Sequence, residues 1–463
     1  MSDRPNILLI MTEQHRGDCL GIEGHPCLLT PNMDGIGAGG VRFTRAYTTC
    51  PTSIAARRSF LSGQFPSTHG MVGYRDGVEW DAPVTVAGAL TRAGYQAVWI
   101  GRSMHQHPTR KRYGFEQVVS HEEYMEWLDR QQPEGAGGYF GGGAMHNDWT
   151  GRPWHLPEHM HSTNWIVERA LEFLERRDPS CPFFAVVSFY AAHPPLTPPA
   201  FYFDRYLRAD IPGPIIGDWE TPPDESWRRS GAGGMDVNLQ GEALHACRAG
   251  YYGLINHVDD QLRRILNPIT GIQRMTGNNT VVLFTSDHGE MLGDHYRYHK
   301  LAPYEPSARI PLMVSAPERF GLKAGSVCDR PVCLEDLMPT ILGLSGADIP
   351  ATVEGRSLAP LLRGESTGWR DFLHIEHAPM HQSLTDGKEK YIWFVADGRE
   401  QLFDLTCDPE ERHDLIRSPQ HAERVETWRR RLIEILRDRP EGFTDGQRLI
   451  AGREYRPVLP AGR

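Results

Sequence analysis

No run of 18 apolar residues occurs in this chain, so no helical membrane span is expected. The N-terminus, MSDRPNILLIM, lacks a long apolar stretch behind a basic start, so no secretory signal is expected and the chain reads as cytoplasmic. Paired cysteines are missing as well: the eight at 19, 27, 50, 181, 247, 328, 333 and 407 form no CxxC pair, a pattern that suits reduced, structural thiols. Positive charge is in deficit. The 49 Lys and Arg against 59 Asp and Glu leave a net charge of −10, which argues against nucleic acid or a membrane surface as partner. Internal repeats are absent too. Gly 47 and Pro 35 together lie above the average but below the disordered range, as in a loop-rich α/β enzyme.

What the chain does have is enough apolar residues, 40% of 463, for a large buried core, and a length that suits two unequal domains or three average ones. Five short apolar runs read as buried parallel strands: Asn6–Met11, Tyr95–Ile100, Phe183–Phe189, Thr280–Thr285 and Ile310–Val314. Amphipathic stretches such as Asn164–Arg177 and Glu242–Ile265 separate them, which predicts an α/β fold with a parallel sheet flanked by helices. Ligands bind such sheets at the carboxyl ends of the strands. Residues 135–157, rich in Gly, His and Trp, and 211–240, rich in Pro and Gly, lack periodicity and read either as functional rims or as disordered excursions. After about residue 370 the pattern changes to short antiparallel strands (FLHIEH, EKYIWFV, EQLFDL) and a charged helix near Pro419–Arg437. Residues 1–370 are therefore expected to form the catalytic domain and 371–463 a smaller α+β subdomain.

Two strand ends carry chemistry. Asn6–Met11 runs into Thr12-Glu13-Gln14, and Thr280–Thr285 runs into Ser286-Asp287-His288-Gly289-Glu290. Carboxylates and a His at adjacent strand ends can share one divalent cation: oxygen donors suit Ca²⁺, Mg²⁺ or Mn²⁺, and the His leans toward Mn²⁺ or Zn²⁺. Either pair alone is weak, since a Glu after a strand is commonly a helix-start residue. Ser53, after Pro51, opens a helix. It reads as an ordinary N-cap or as a nucleophile at the positive end of that helix. Arg57, one turn on, is placed to hold the nucleophile or a substrate oxygen.

Thr48–Met71 (TTCPTSIAARRSFLSGQFPSTHGM) resembles the signature of the sulfatase family, in which a Cys or Ser four residues before an Arg becomes formylglycine. Counting back from Ser62-Gly63 puts that position on Ser53; Cys50 is a decoy, because its +4 residue is Ile54. PNILLIMTEQ, FTSDHGEMLGDH, SFYAAHPPLTPP, HKLAPYEPSARIPLMV, DLMPTILGLSGADIPATVEGRSLAPLLRG and QLFDLTCDPEERHDL resemble further family landmarks, in order, over nearly the whole chain. The flavour is that of choline sulfatases and phosphonate monoester hydrolases. The resemblance implies an alkaline-phosphatase-like sandwich with a large, mostly parallel sheet, plus a C-terminal subdomain with a short antiparallel sheet. It implies one divalent metal ion, Ca²⁺ first among Mn²⁺, Mg²⁺ and Zn²⁺, on Glu13, Gln14, Ser53, Asp287 and His288. It implies catalytic roles for Ser53, Arg57, His105, His193 and Lys300, and substrate contacts at Arg102, Ser103 and His299. The expected activity is hydrolysis of a sulfate monoester, with phosphodiester or phosphonate monoester hydrolysis as the alternative and an inactive anion-binding relative as a third reading. The partners implied are a small anionic ester and a maturase for Ser53.

The chain departs from the family pattern at four places. Glu13 stands where Asp is usual, Ser53 where Cys is usual, and Ala55 where Pro is usual. The Gly-Lys-x-His segment reads Gly101-Arg102-Ser103-Met104-His105, so that Ser103 replaces the Lys and Arg102 is left to supply its charge. Ser53 is then either converted by a radical maturase or acts unmodified. His155, His159 and His161 read as a substrate rim rather than a zinc cluster. His295 and His299 read as supports near Lys300. Trp149 and Trp154 read either as pocket lining or as plain surface. The tail, residues 442–463, has little core of its own and is expected to pack on a neighbouring subunit of a homo-oligomer.

Overall fold

The computed structural model describes residues 4–103, 106–225, 234–267 and 279–460. Its main sheet has eight strands. In chain order these are β1 (Asn6–Glu13) and β2 (Val41–Phe43), then, after a two-residue β3 (Ala46–Tyr47), β4 (Gln96–Gly101), β5 (Gln117–Ser120), β6 (Phe183–Ala192), β7 (Thr280–Ser286), β8 (Leu312–Ser315) and β9 (Ser326–Cys328). Their order across the sheet is β5-β4-β6-β1-β7-β8-β2-β9. All neighbours are parallel except β8, which runs antiparallel to both β7 and β2. The sequence reading of Ile310–Val314 as another parallel strand is corrected here: an apolar run records burial, not direction.

All eight residues of β1 are buried, and their side chains alternate between two cores. Leu8 and Ile10 face a layer that includes Met33, Ile166, Leu254 and Val258. Ile7, Leu9 and Met11 face Ile54, Phe60, Leu90 and Ile341 on the other side. The helices Ser162–Arg176 and Gly241–Leu266 cover the first face, and Ser53–Ser62, Val86–Arg92 and Leu337–Ser345 the second.

A separate four-stranded antiparallel sheet follows β10 (Val332–Cys333): β11 (Leu373–His377), β12 (His381–Thr385), β13 (Glu389–Phe394) and β14 (Glu400–Asp404), in that order. β12, with the sequence HQSLT, was not read from the sequence, since only one of its five residues is strongly apolar, although all five are buried. The helix Ala422–Ile435 packs on this sheet through Val425, Trp428 and Leu432. Ile392 and Phe403 in turn pack against Met291 and Tyr304 beside the main sheet.

The tail does not wait for a neighbour. Phe443 and Tyr455 are buried in their own chain, with Phe443 5.7 Å from the Trp393 ring, and Val458 bridges to Met71. The insertion 135–157 is folded back on the body: Tyr139, Trp149 and Trp154 are buried in the first core.

Candidate active site

Register brings the strand ends together. Thr12 of β1 lies beside Ser286 of β7, so Glu13 and Asp287 emerge at the same height. On the other flank β6 carries the chain to His193, and β4 ends at Gly101 opposite Ser188. Gly101 has φ +97°, and a Cβ there would lie 2.1 Å from the Ser188 carbonyl oxygen, so only glycine lets the chain turn Arg102 into the site.

Thr52 occupies the N-cap of the helix Ser53–Ser62 and its side chain makes no cap bond. The cap reading of Ser53 is therefore wrong: Ser53 is the first helical residue and its hydroxyl is free for other work. Its Oγ donates to Glu13 Oε1 at 2.8 Å and lies 3.0 Å from His288 Nε2, with the ring's Nδ1 3.0 Å from the Gly289 carbonyl. Arg57, fully buried, donates Nε to Asp287 Oδ2 at 3.0 Å and Nη1 to Ser188 Oγ at 3.0 Å. Its Nη2 makes no hydrogen bond among the described residues and faces Glu13 Oε2 at 3.9 Å. Arg102 donates Nε to Glu13 Oε2 at 2.7 Å and lies over the Tyr190 ring. Gln14 adopts φ +64°, a left-handed conformation costing a non-glycine residue about 1–3 kcal/mol. That turn aims its N–H at Asp287 Oδ1, 3.1 Å away. Lys300 Nζ lies 3.0 Å from Gln14 Oε1 and 3.0 Å from His193 Nε2.

Glu13, Ser53, Arg102, His193 and Lys300 open onto a cavity of about 390 Å³. Glu13, Ser53, Arg102, His193, His299 and Lys300 line its depth. Tyr74, His146, Asn147, Tyr190, Met235 and Leu301 complete the wall. Burial alone would raise the Glu13 carboxyl, but Arg102, His193, Arg57 and Lys300 outweigh it and hold Glu13 well below the usual carboxylate range. Burial, then the Lys300 ammonium, pushes His193 well below its ordinary value. Burial also lowers His288 and Lys300, against the pull of Asp287 on the one and of Glu13, Glu290 and Asp287 on the other. The site is thus a lattice of buried charges around a hydroxyl.

Among the described residues no group of three or more His, Cys, Asp or Glu side chains is preformed as a metal cage. Glu13 bonds Ser53 and Arg102, and Asp287 bonds Arg57 and the Gln14 N–H. The donor set itself, two carboxylates, a carboxamide oxygen and an imidazole at neighbouring strand ends, has the chemistry a hard divalent cation requires.

Of the residues singled out from sequence, Ser53, Arg57, Arg102, His193, Lys300, Glu13, Gln14, Asp287 and His288 assemble here, and His299 lines the cavity beside them. Ser103 does not: its hydroxyl donates to Gln106 Oε1 at 2.8 Å, outside the cavity lining, and Arg102 alone turns inward. His105 lies outside the described residues. Trp149 packs on Tyr298 and Trp154 on Tyr139, so neither lines the pocket. His161 Nδ1 accepts the Thr163 N–H at the start of its helix, and His295 Nδ1 accepts the Gly217 N–H, so both are structural. The insertion instead supplies His146 and Asn147, which no spacing in the sequence marked. Tyr190 is hydrogen-bonded to His146 and sat unread inside a strand-end motif.

The family model described as Sulfatase matches residues 5–347, the span that carries every one of these groups. The chain belongs to the sulfatase family. As a sulfatase it is a hydrolase of sulfuric esters, and a second family model, N-sulphoglucosamine sulphohydrolase, C-terminal, matches residues 293–438. This sulfatase is 40% identical to an arylsulfatase of Clostridium perfringens, over 97% of its own length and 98% of the relative's. It is 29% identical to the multifunctional alkaline phosphatase superfamily protein PehA of Trinickia caryophylli, over 95% and 99% of the two chains. The crystal structure of the phosphonate monoester hydrolase of Agrobacterium radiobacter superposes with a TM-score of 0.80 at 25% identity, covering 98% of this chain and all of the other. That likeness bears out the alkaline-phosphatase-like fold expected from the sequence. No described helix is long and apolar enough to cross a membrane.

Proposed function

We propose that this sulfatase cleaves the monoester of a small sulfated substrate with a nucleophile at residue 53, assisted by one divalent cation. The observation that carries the reading is the Ser53 hydroxyl, held 2.8 Å from Glu13 Oε1 and 3.0 Å from His288 Nε2 at the first turn of a helix, facing the cavity. Glu13, Gln14, Asp287 and His288 would hold the cation, with Ca²⁺ the first candidate. When bound, it would neutralise charge on the ester oxygens and acidify the nucleophile. The Ser53 oxygen, or the aldehyde hydrate that a maturase makes from it, attacks sulfur. Arg57 and Lys300 offset the negative charge that grows on the sulfuryl oxygens. His193 donates Nδ1–H to the Pro194 carbonyl at 2.6 Å, which leaves Nε2 facing the Lys300 ammonium. The Lys300–His193 pair then delivers the proton to the leaving oxygen. Peptide mass spectrometry across residue 53, together with turnover of an aryl sulfate by wild type and Ser53→Ala, tests this. The expected result is a loss of about two mass units in active enzyme, as conversion of a hydroxymethyl to an aldehyde requires, and no turnover in the variant. Turnover that survives in Ser53→Ala would remove the nucleophile from residue 53.

A second reading keeps Ser53 as the nucleophile without modification, with its hydroxyl held by Glu13 Oε1 at 2.8 Å and beside His288 Nε2 at 3.0 Å. Direct Ser attack suits phosphodiesters and phosphonate monoesters, because water must then cleave a Ser ester. Unmodified Ser53 in enzyme that turns over such esters faster than aryl sulfate would favour this reading.

A further inference from the structure

The Glu290 carboxylate is outside the cavity lining, yet it bonds Gln14, Leu292 and His299, the last of which lines the cavity. It is 3% exposed and stands two residues beyond His288. Its Oε2 accepts the Gln14 side-chain amide, and its Oε1 accepts the backbone N–H of Leu292 at 2.8 Å and that of His299. It therefore ties the end of β1 to the segment that presents His299 and Lys300.

A carboxamide has two unlike ends, and the difference decides what Gln14 can do. A carboxylate only accepts hydrogen bonds. With Glu290 on one side, the Gln14 NH₂ must face Glu290 and Oε1 must face away. There it meets an ammonium that only donates, Lys300 Nζ at 3.0 Å. A flipped amide would set oxygen against carboxylate and NH₂ against ammonium, two repulsions in one buried site. Acceptor, amide and donor thus form a polar line with a single allowed sense.

From this geometry we infer that Glu290 is a positioning residue for the cation site, holding the Gln14 amide NH₂ so that its oxygen is turned away from Glu290 and left free to accept. The inference rests on the reading that Gln14 is a metal ligand. Groups that orient a ligand in this way are commonly worth 10- to 100-fold in metal affinity.

Calorimetric titration of chelator-stripped protein with Ca²⁺ or Mn²⁺ tests it without reference to turnover. Glu290→Gln, which keeps size and burial but accepts no more strongly than it donates, is expected to weaken the cation about 10- to 100-fold. Glu290→Asp, still acceptor-only, is expected to recover most of that loss. Gln14→Ala is expected to weaken the cation too, and the double variant Gln14→Ala/Glu290→Gln to be no weaker than Gln14→Ala alone, because Glu290 then has nothing to orient. Additive losses in the double variant, or wild-type affinity in Glu290→Gln, would overturn the inference. So would a Glu290→Gln chain that does not fold in the absence of metal, since the carboxylate would then be holding the chain together. Gln14→Ala with wild-type affinity would also overturn it, and Asp287→Asn separates the cases. If Asp287→Asn still abolishes binding, the cation site stands and only the role of Gln14 and Glu290 falls. If Asp287→Asn binds normally, the cation reading itself falls.

Discussion

Arg57 has more to do than its place one turn beyond Ser53 suggests. One guanidinium spans Asp287 and Ser188 and leaves Nη2 without a hydrogen bond beside Glu13. A lysine reaches only one of these points and lacks the planar fork. Arg57→Lys should therefore lower kcat/KM by about 10²-fold, the usual scale for losing one oriented donor to a developing anion. Steady-state kinetics on an aryl sulfate, with circular dichroism to establish folding, checks it. Asp287→Asn should weaken the cation, and a chelator should inactivate the wild type reversibly. Activity that persists through exhaustive chelation would remove the metal from the mechanism. Most of these side chains were legible in the sequence because each follows a strand directly or sits at a fixed step from Ser53. Tyr74, His146, Asn147 and Met235 were not, since they come from loops whose path no periodicity encodes. Ser103 misled for a related reason: a one-residue choice of anchor in Gly101–His105 decides which side chain faces the site, and the turn at Gly101 selects Arg102.

Among elements, the end of β4 leaves no room for a side chain at Gly101. Gly101→Ala would place a methyl 2.1 Å from the Ser188 carbonyl and force a side chain into φ +97°. A loss of about 3 kcal/mol is expected, the upper end for overpacking, seen as a drop in Tm by calorimetry. A Tm unchanged within a degree would show that the strand can yield. The central strands could be read from sequence because both faces are buried, which makes them continuous apolar runs. The same feature hid the direction of β8, since burial on both faces looks alike either way. β12 escaped because its burial is polar: Ser383 Oγ bonds the Ile375 carbonyl and the His374 ring meets Gln382 across the pair. Sequence patterning registers apolar cores far better than cores closed by hydrogen bonds.

Over the whole molecule, acid should be the main threat to stability. Burial pushes His69, His121 and His161 down to about 3, so each is neutral when folded and protonates in the unfolded chain below about pH 6.5. The unfolded state then binds more protons, so the stability these groups contribute is complete above pH 6.5 and is lost as pH falls toward 3. Each contributes at most about 1.4 kcal/mol per pH unit in that window. Asp259, raised by burial to about 6, and Glu411, raised by burial to about 7, work in the opposite sense, but His377, lowered to about 3, and His15, His25 and His295, lowered to about 4, add to the first. A Tm that falls steadily from pH 6.5 to 4.5 is expected, and a flat profile would contradict these burial states.

One feature of the tail bears on how the site is completed. The Leu459 N–H bonds the Gly70 carbonyl, and Val458 bridges Met71, so the loop after the helix Ser53–Ser62 is closed over by residues far later in the chain. Ser53 ends up 5% exposed. On the reading proposed above, an enzyme that converts Ser53 would have to reach it before this packing closes around it.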